Sequence, residues 1–362
     1  MLQQTTVTTV VPFFNRFITR FPDVRSLAAA DQEDVLRHWE GLGYYSRARN
    51  LHKAARMIVS DHDGNVPDNL QSLQQLPGIG RYTAGAIASF AFQLPAPILE
   101  ANTLRLYARL LNLQLDPKSS AGQKALWSFA ESIVSKKRPA DFNQAVMDLG
   151  STVCTPKNPD CSQCPASQWC AAFHHDSQNQ VPLETPRALK TDITDVSVVV
   201  CHQDQVLLRQ RTAGEWWSGL WDFARFRVAP ESADLIPPFP KVQRITVLDQ
   251  KPQEVPKSSA RIRRNQKSLF SDDITPEIFF PDAWKLPLSE LLGQTVSSIT
   301  PLTEFRHVVT RYRIRLLCYT AELRQPELDD QSEFHWFPIE SLKSLPLSRP
   351  ARRQAVMLLK WV

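Results

Sequence analysis

The sequence predicts a two-domain protein in which an all-α domain precedes an α+β domain. Its 362 residues suffice for two domains that each bury a core. From residue 1 to about 150, apolar residues recur at three- and four-residue steps, a spacing typical of helices. Residues 174–192 are polar and contain prolines, and β-branched runs follow them. These observations place a linker at 174–192 and a change of fold class across it.

The composition excludes membrane insertion and says little about partners. Hydrophobic residues make up 43% of the chain and charged residues 22%, as in globular proteins. No apolar run approaches the ~18 residues that a membrane span needs. The N-terminus lacks the basic stretch and apolar run of a secretory signal, so we expect a cytoplasmic location. A net charge of +5 is too small to identify a partner.

Local patterns predict the elements in chain order. Residues 51–59 place their apolar side chains on one helical face. The β-branched runs 194–200 and 312–320 indicate strands, and 349–361 indicates a closing helix. The segment 229–275 holds six prolines, so we expect a poorly ordered insertion there.

A basic run lies inside this insertion. Residues 241–267 contain eight Lys or Arg residues, opposed only by Asp249 and Glu254. Such a run is either a solvated loop or a contact to a polyanion, and both interpretations stay open.

Four closely spaced cysteines are the strongest chemical signal. They fall within seventeen residues of a segment that contains several prolines, and they are Cys154, Cys161, Cys164 and Cys170. Four thiolates in one loop suit either tetrahedral zinc or a [4Fe-4S] cluster. Structural zinc usually takes two short-spaced pairs, so the uneven spacing favours the cluster and leaves zinc as the alternative. Cys201 and Cys318 lie in strand-like runs and are expected to be buried without a ligand role.

The second signal is a glycine-containing turn at 76–80, Leu-Pro-Gly-Ile-Gly, which opens an apolar helix. Gly78 and Gly80 permit close approach of another backbone, and the free N–H groups at the start of the helix can bind an anion such as a phosphate. Contacts of this kind carry no sequence information. The alternative interpretation is an ordinary corner between two helices.

Together these motifs resemble the helix-hairpin-helix DNA glycosylase superfamily, and in particular its adenine DNA glycosylases, the MutY family. The segments that carry this resemblance follow the family's order, without gaps relative to its pattern, over residues 1–170. They are Met1–Thr5, Trp39–His52, Phe142–Gly150 and the four-cysteine loop. The resemblance implies a [4Fe-4S] cluster as the cofactor, bound by the four cysteines of 154–170.

The second half supports the same family. Residues 206–223, 307–312 and 333–359 resemble the Nudix-like domain of adenine DNA glycosylases, which recognises 8-oxoguanine opposite adenine. The Glu-rich metal-binding box of Nudix hydrolases is missing, so we expect recognition without phosphohydrolase chemistry. The resemblance thus implies a glycosylase domain at 1–173 and a Nudix-like domain at 193–362.

The resemblance implies an enzyme of base excision repair that removes adenine opposite 8-oxoguanine or guanine in double-stranded DNA. Breaking the glycosidic bond requires a carboxylate near the sugar, which the resemblance assigns to Glu100 in place of the family's Asp, with Tyr82 in support. Gln4 would fill the gap left by the flipped base, and Tyr44 would insert beside 8-oxoguanine. The other DNA contacts that it implies are Thr5, Leu42, Gly78, Gly80, Asn102 and Thr310. We expect a monomer with no membrane partner.

Two further departures from the family keep alternatives open. The family's general-acid Glu stands two residues before the Met that is Met1 here. Either the reading frame starts upstream, or the chain is a catalytically impaired protein that binds the lesion. The family's aromatic-Ser/Thr-His loop is Val309-Thr310-Arg311, which places lesion discrimination in question. A lyase like endonuclease III would need a Lys where Tyr82 stands, so that alternative is disfavoured.

Overall fold

The computed structural model describes residues 1–183, 189–228, 284–323, 328 and 332–359. The chain divides into two units, Met1–Ala188 and Leu189–Val362. The point of division lies inside the linker 174–192 that the sequence predicts. The predicted insertion 229–275 and its basic run 241–267 lie outside the described residues.

The first unit is helical in its described part, as the sequence predicts. Its α-helices are α1 (Val7–Arg20), α2 (Val24–Ala29), α3 (Gln32–Trp39), α4 (Ser46–Asp61), α5 (Leu70–Gln75), α6 (Arg81–Phe92), α7 (Ala101–Leu110), α8 (Ser120–Ile133), α9 (Pro139–Thr152) and α10 (Ala171–His174). Short 3₁₀ turns lie at Cys161–Gln163 and Ser167–Trp169. Polar side chains begin several helices: Asn69 accepts from the N–H of Ser72, and Ser119 from the N–H of Gly122.

Two apolar clusters hold the first unit together. One joins α4 to the α5–α6 hairpin through small and medium side chains, among them Ala54, Ile58, Leu73, Ala84 and Ala88. The other packs α7, α8 and α9 around Leu106, Tyr107, Leu126, Trp127 and Val146. Burying one such Leu or Val contributes about 1.5–3 kcal/mol. The two clusters therefore fix the hairpin and the start of α7, where the predicted site residues lie.

The second unit is built on one mixed sheet. Its strands are β1 (Thr191–His202), β2 (Gln205–Gln210), β3 (Trp221–Asp222), β4 (Ala224–Arg227), β5 (Val296–Val309), β6 (Tyr312–Leu323) and β7 (Phe334–Pro338). The order is β3-β2-β1-β6-β5, with β4 beside β1 and β7 beside β2. Only β1 and β6 are paired in parallel among the strands described.

One helix packs against each face of this sheet. Val196 and Val198 of β1 lie in the cluster formed with α11 (Lys285–Leu292). Val199, which points to the opposite face, lies in the cluster formed with α12 (Arg349–Leu358). Because successive strand residues alternate between faces, the run of valines in β1 serves both clusters. The predicted strands and closing helix are confirmed within the described residues, and the unit is an α/β domain with a mixed sheet.

Two further expectations concern the second-unit cysteines and the membrane. Cys318 is fully buried as predicted, whereas Cys201 is only half-buried, because it lies near the end of β1. In the described part of the chain, no helix has both the length and the apolar character that a membrane crossing requires.

Candidate functional site

Glu100 lies at the N-terminus of α7 and caps it. Its Oε1 accepts hydrogen bonds from the backbone N–H groups of Asn102 and Thr103, both at 2.9 Å. The Thr103 hydroxyl in turn accepts from the N–H of Glu100, which completes a capping box. Among the described residues, Oε2 has no hydrogen-bond partner. The helix thus orients one carboxylate oxygen and leaves the other available, in a half-buried position that favours negative charge.

The loop that leads into Glu100 is held by two residues of other helices. Asn143 of α9, fully buried, donates from Nδ2 to the Ser89 hydroxyl and to the Ala96 carbonyl, both at 2.9 Å. Gly85 of α6 lies against the same loop, where a Cβ would stand 2.2 Å from the Pro97 carbonyl oxygen. A side chain at 85 would therefore displace the loop before Glu100. The sequence did not assign Asn143 this role, although it belongs to the Phe142–Gly150 motif.

Two tyrosines lie within reach of the Glu100 charge. Burial raises the pKa of Tyr82, and the Glu100 carboxylate raises it further. The same two causes raise the pKa of Tyr107, which is fully buried in α7. Both phenols are therefore neutral near pH 7 and able to donate hydrogen bonds. The sequence pointed to Tyr82 but missed Tyr107, whose signal was its place seven residues after Glu100, two helical turns along α7.

The α5–α6 hairpin supports the predicted anion site. Gly78 adopts a φ of +80°, and a Cβ there would stand 2.7 Å from the Asn50 Cβ, so no other residue fits this turn. Gly80 caps α6 without a side-chain hydrogen bond. The first N–H groups of α6 can therefore bind a phosphate at the positive end of the helix.

The N-terminal segment and the start of α4 come together beside this hairpin. Gln4 and Tyr44 both adopt left-handed backbone conformations, with φ of 57° and 49°. Arg47 of α4 donates from Nη2 to the Thr5 hydroxyl at 3.1 Å. Gln3 donates from Nε2 to the hydroxyl of Thr83 in α6, also at 3.1 Å. The structure thus brings the predicted contacts Gln4, Thr5 and Tyr44 into one surface with the hairpin.

Leu42 and Asn102 are placed differently from the exposed contacts. Leu42 is only 6% exposed and its N–H donates to the Trp39 carbonyl at 3.1 Å, so the predicted direct DNA contact of its side chain is not open in this structure. The physical reason is burial of its apolar side chain in the core beside Trp39. Asn102 is half-buried and its Oδ1 accepts from Arg105 Nη2 at 3.2 Å.

The four-cysteine loop is tied to α7 by two arginines. Arg109, only 2% exposed, donates from Nη1 to the Cys154 sulfur at 3.3 Å and to the Thr155 carbonyl at 2.8 Å, and from Nε to the Val181 carbonyl at 2.9 Å. One turn earlier, Arg105 donates from Nε to the Cys154 carbonyl at 2.7 Å. The helix that begins at Glu100 therefore also holds the cysteine loop.

The four cysteines are the candidate ligands of a metal ion or cluster in the first unit. All four sulfur-bearing residues line one cavity together with the apolar side chains of Leu106 and Phe173. Burial and the neighbouring thiolates raise the pKa of Cys161, so iron bound there would offset their mutual repulsion. Tetrahedral zinc requires sulfurs about 3.8 Å apart. In the described part of the chain, no three His, Cys, Asp or Glu side chains converge closely enough for a single metal ion. Four thiolates at one cavity are donors that suit either zinc or a [4Fe-4S] cluster.

Thr310 lies in the second unit, at the turn between β5 and β6. Val309 pairs with Tyr312, which leaves Thr310 and Arg311 as a two-residue exposed turn. Thr310 adopts a φ of 50°, and its hydroxyl donates to the Val309 carbonyl at 2.8 Å. Arg311 Nη2 donates to the Tyr312 hydroxyl at 2.9 Å. The predicted contact is therefore exposed at the tip of a hairpin.

Aromatic contacts support the base of this hairpin. Trp216 lies 5.3 Å from Tyr312 and Trp217 lies 5.9 Å from His307, measured between ring centroids. The Arg225 guanidinium lies 4.9 Å from the Trp217 ring. Sequence reasoning did not single out the tandem tryptophans as supports of the hairpin, because they are distant from it along the chain.

Comparison with known proteins finds a matching family model and similar sequences, and one solved structure is reported with them. The family model "HhH-GPD superfamily base excision DNA repair protein" matches residues 1–132. The adenine DNA glycosylase of Mus musculus is 45% identical over 182 residues, which is 50% of this chain and 35% of the mouse protein. That of Buchnera aphidicola subsp. Schizaphis graminum is 37% identical over 226 residues, covering 62% of this chain and 65% of that protein. A solved thermostable thymine-DNA glycosylase aligns with a TM-score of 0.45 and 28% identity, covering 48% of this chain and 80% of that one.

Proposed function

We propose that this chain, whose residues 1–132 match the family model of HhH-GPD superfamily base excision DNA repair proteins, is a DNA N-glycosylase that removes adenine from double-stranded DNA. The observation that carries the proposal is the Glu100 carboxylate, held at the N-terminus of α7 with one oxygen free and two neutral tyrosines near its charge. The similarity to adenine DNA glycosylases supports adenine as the base.

Each part of the site would perform one step of base removal. The α5–α6 hairpin binds a DNA phosphate through backbone N–H groups, which positions the duplex without reading its sequence. Gln4 and Tyr44 enter the duplex where the target nucleotide leaves the stack. The Glu100 carboxylate stabilises the positive charge that develops on the sugar as the bond to adenine breaks, and Tyr82 orients groups around it.

The substrate is an adenine mispaired with 8-oxoguanine or guanine, and Thr310 contributes to the choice of the opposite base. An exposed hydroxyl on a two-residue turn can form a hydrogen bond to a base edge with little rearrangement. We further propose that the protein acts as a monomer in the cytoplasm, on chromosomal DNA.

The four-cysteine loop would hold a [4Fe-4S] cluster through Cys154, Cys161, Cys164 and Cys170. When bound, the cluster supplies a redox-active iron centre that cross-links the loop. The hydrogen bonds from Arg105 and Arg109 place that loop against the helix that Glu100 caps. Iron loading would thereby contribute to the order of the catalytic helix.

Single-turnover release of adenine tests the proposal. The protein is expressed from its natural reading frame with any upstream codons and mixed with duplexes that carry A opposite 8-oxoG, G or T. We expect free adenine from the first two duplexes and none from A opposite T. Tight binding of the A:8-oxoG duplex without release would instead favour a lesion-binding protein. Trapping of a covalent DNA adduct by borohydride would indicate lyase chemistry and contradict the proposal.

A further inference from the structure

We infer that Arg47 is a positioning residue that holds Gln4 and Tyr44 in the conformations with which they enter the duplex. The inference rests on the proposed function, because it assigns a task within the same DNA-contacting surface. It adds Arg47 as a residue that shapes this surface, whereas Gln4 and Tyr44 are the residues proposed to contact the DNA. The contacts, the backbone strain and the exposure of the neighbouring side chains carry it.

The Arg47 guanidinium joins two segments that are distant in sequence. From Nη1 it donates to the Met1 carbonyl at 2.7 Å and to the Gln3 carbonyl. From Nη2 it donates to the Thr5 hydroxyl and to the Gly43 carbonyl, both at 3.1 Å. One side chain therefore fastens the N-terminal segment 1–5 to the turn that precedes α4. A lysine could not replace it, because an ammonium lacks the planar fork of donors that reaches acceptors on both segments.

These hydrogen bonds fall next to the two strained residues. Gln3 and Thr5 stand on either side of Gln4, whose φ is 57°, and Gly43 precedes Tyr44, whose φ is 49°. Residues other than glycine are uncommon in this region and persist only where the surrounding structure holds them. Arg47 supplies that restraint on both segments at once.

The restrained residues present their side chains outward. Gln4 is exposed and its side chain has no hydrogen-bond partner among the described residues, and the Tyr44 side chain is 57% exposed. The Arg47 guanidinium lies 5.2 Å from the Tyr44 ring and 5.5 Å from the Trp39 ring. Arg47 thus restrains the backbone of both segments and lies near the Tyr44 ring, while the ends of the Gln4 and Tyr44 side chains remain exposed.

The charge of Arg47 suits the same surface. Its hydrogen-bond acceptors are carbonyls and a hydroxyl, so the hydrogen bonds leave its positive charge uncompensated. A cation behind two exposed side chains attracts the phosphates on either side of the nucleotide that they replace. Positioning and attraction therefore come from one residue.

The test compares Arg47→Gln with the matched control Arg56→Gln in the full-length protein. Arg56 lies on the same helix and likewise donates to carbonyls, those of Ala28 at 3.2 Å and Ala30 at 3.4 Å. The probe is a duplex with 2-aminopurine in place of the target adenine, opposite 8-oxoguanine. Its fluorescence at saturating protein reports extrusion of the base and does not depend on catalysis. Affinity for an undamaged duplex and the melting temperature are measured alongside.

We expect Arg47→Gln to lower the extrusion equilibrium about tenfold, the cost of releasing a strained segment. Its affinity for undamaged DNA should stay within about threefold, because the α5–α6 hairpin still binds phosphate. Arg56→Gln should extrude the base like wild type. Equal extrusion by the Arg47→Gln and Arg56→Gln variants would overturn the inference.

Two further variants separate positioning from charge and from general stability. Arg47→Lys keeps the charge but loses the fork, so it should still lower extrusion severalfold, and wild-type extrusion by it would count against the inference. If Arg47 acts through Gln4, the double variant Arg47→Gln/Gln4→Ala should be little worse than either single variant, whereas additive losses would contradict it. A wild-type protein that extrudes and releases no base would refute the proposed function itself, which is a distinct outcome.

Discussion

Two arginines of the first unit and two of the second, each buried or half-buried, have different kinds of partner. In the first unit, Arg47 and Arg109 donate to backbone carbonyls, a hydroxyl and a cysteine sulfur. In the second unit, Arg225 pairs with Asp195 at 2.7 Å and Arg211 with Asp222 at 2.9 Å. The same side chain thus cross-links the backbone at Arg47 and Arg109 and neutralises carboxylates at Arg225 and Arg211.

This difference determines which side chains keep a charge that no partner compensates. A guanidinium that donates to carbonyls keeps its positive charge, which in the proposed function would attract DNA phosphate at Arg47 and balance the thiolates of a bound cluster at Arg109. When a guanidinium pairs with a carboxylate, the two charges compensate each other. Such pairs stabilise the sheet of the second unit and leave little electrostatic potential around it. The converse holds for Glu100, which forms no salt bridge within the described residues. In the proposed function, its unpaired carboxylate would stabilise a sugar cation.

The largest expected effect comes from removing that unpaired charge. Glu100→Gln should lower the single-turnover rate of adenine release about 10²–10³-fold, since electrostatic stabilisation of the developing cation is lost. The amide oxygen still accepts from Asn102 and Thr103, so the cap of α7 and the melting temperature should be kept. Duplex affinity serves as the control and should change by a few-fold at most. An undiminished rate would show that Glu100 is not the sugar-side carboxylate.

Replacing Arg109, whose guanidinium donates to backbone carbonyls, should release the iron. Arg109→Met leaves the carbonyls of Thr155 and Val181 and the Cys154 sulfur without their donor, at about 1–3 kcal/mol for each buried group. We expect wild-type protein to carry about four iron atoms per chain, with the visible absorbance of a cluster, and the variant to lose most of both. The control Arg138→Met, which breaks an exposed pair with Asp141, should keep its iron. Stoichiometric zinc in the wild type, with no iron, would rule out the cluster.

Replacing Arg225, whose guanidinium pairs with the Asp195 carboxylate, should destabilise the second unit because a buried charge loses its main partner. Arg225→Met leaves Asp195, which is 4% exposed, with only the exposed Arg227 as partner, and should cost about 3–5 kcal/mol in denaturant unfolding. The double variant Arg225→Met/Asp195→Asn removes the uncompensated charge and should recover a large part of that loss. A double variant as unstable as the single one would show that packing on Trp217 matters more than charge.

A pH-dependent effect is expected in the second unit. Burial, followed by the charge of Arg225, lowers the pKa of His307 to about 4, against about 6.5 in an unfolded chain. Between these values the unfolded state binds the proton more readily, so stability should fall as the pH drops from about 6.5 towards 4. Melting temperatures of wild type and His307→Gln, compared at pH 7.5 and 5, isolate this contribution. Parallel curves for the two proteins would contradict it.

The smallest expected effect concerns the hairpin tip. Thr310→Val removes an exposed hydroxyl and keeps the branched side chain, so stability should change by less than about 0.5 kcal/mol. The preference for 8-oxoguanine over guanine opposite adenine should fall about threefold, the worth of one hydrogen bond. Competition binding with the two duplexes measures this preference. An unchanged preference would assign discrimination to residues other than Thr310.

Local motifs were sufficient to predict the fold classes of the two units. The glycine turn at Gly78, the four-cysteine spacing and the alternation of valines in β1 each depend on neighbours in the chain, so a short window of sequence reveals them. The predicted change from helices to a sheet across the linker is confirmed for the same reason, since residue periodicity is a local property.

Pairings between distant residues were decided by the tertiary structure alone. Arg47 meets segment 1–5 some forty residues away, Asn143 meets the loop before Glu100, and Asp195 meets Arg225 across two strands. Leu42 shows the same limit, since only the folded structure reveals that its side chain is buried. Chain neighbours determine backbone conformation, whereas the partner of a long polar side chain depends on which segments folding brings within about 3 Å of it. The amino-acid sequence alone does not give these distances between residues that lie far apart in the chain.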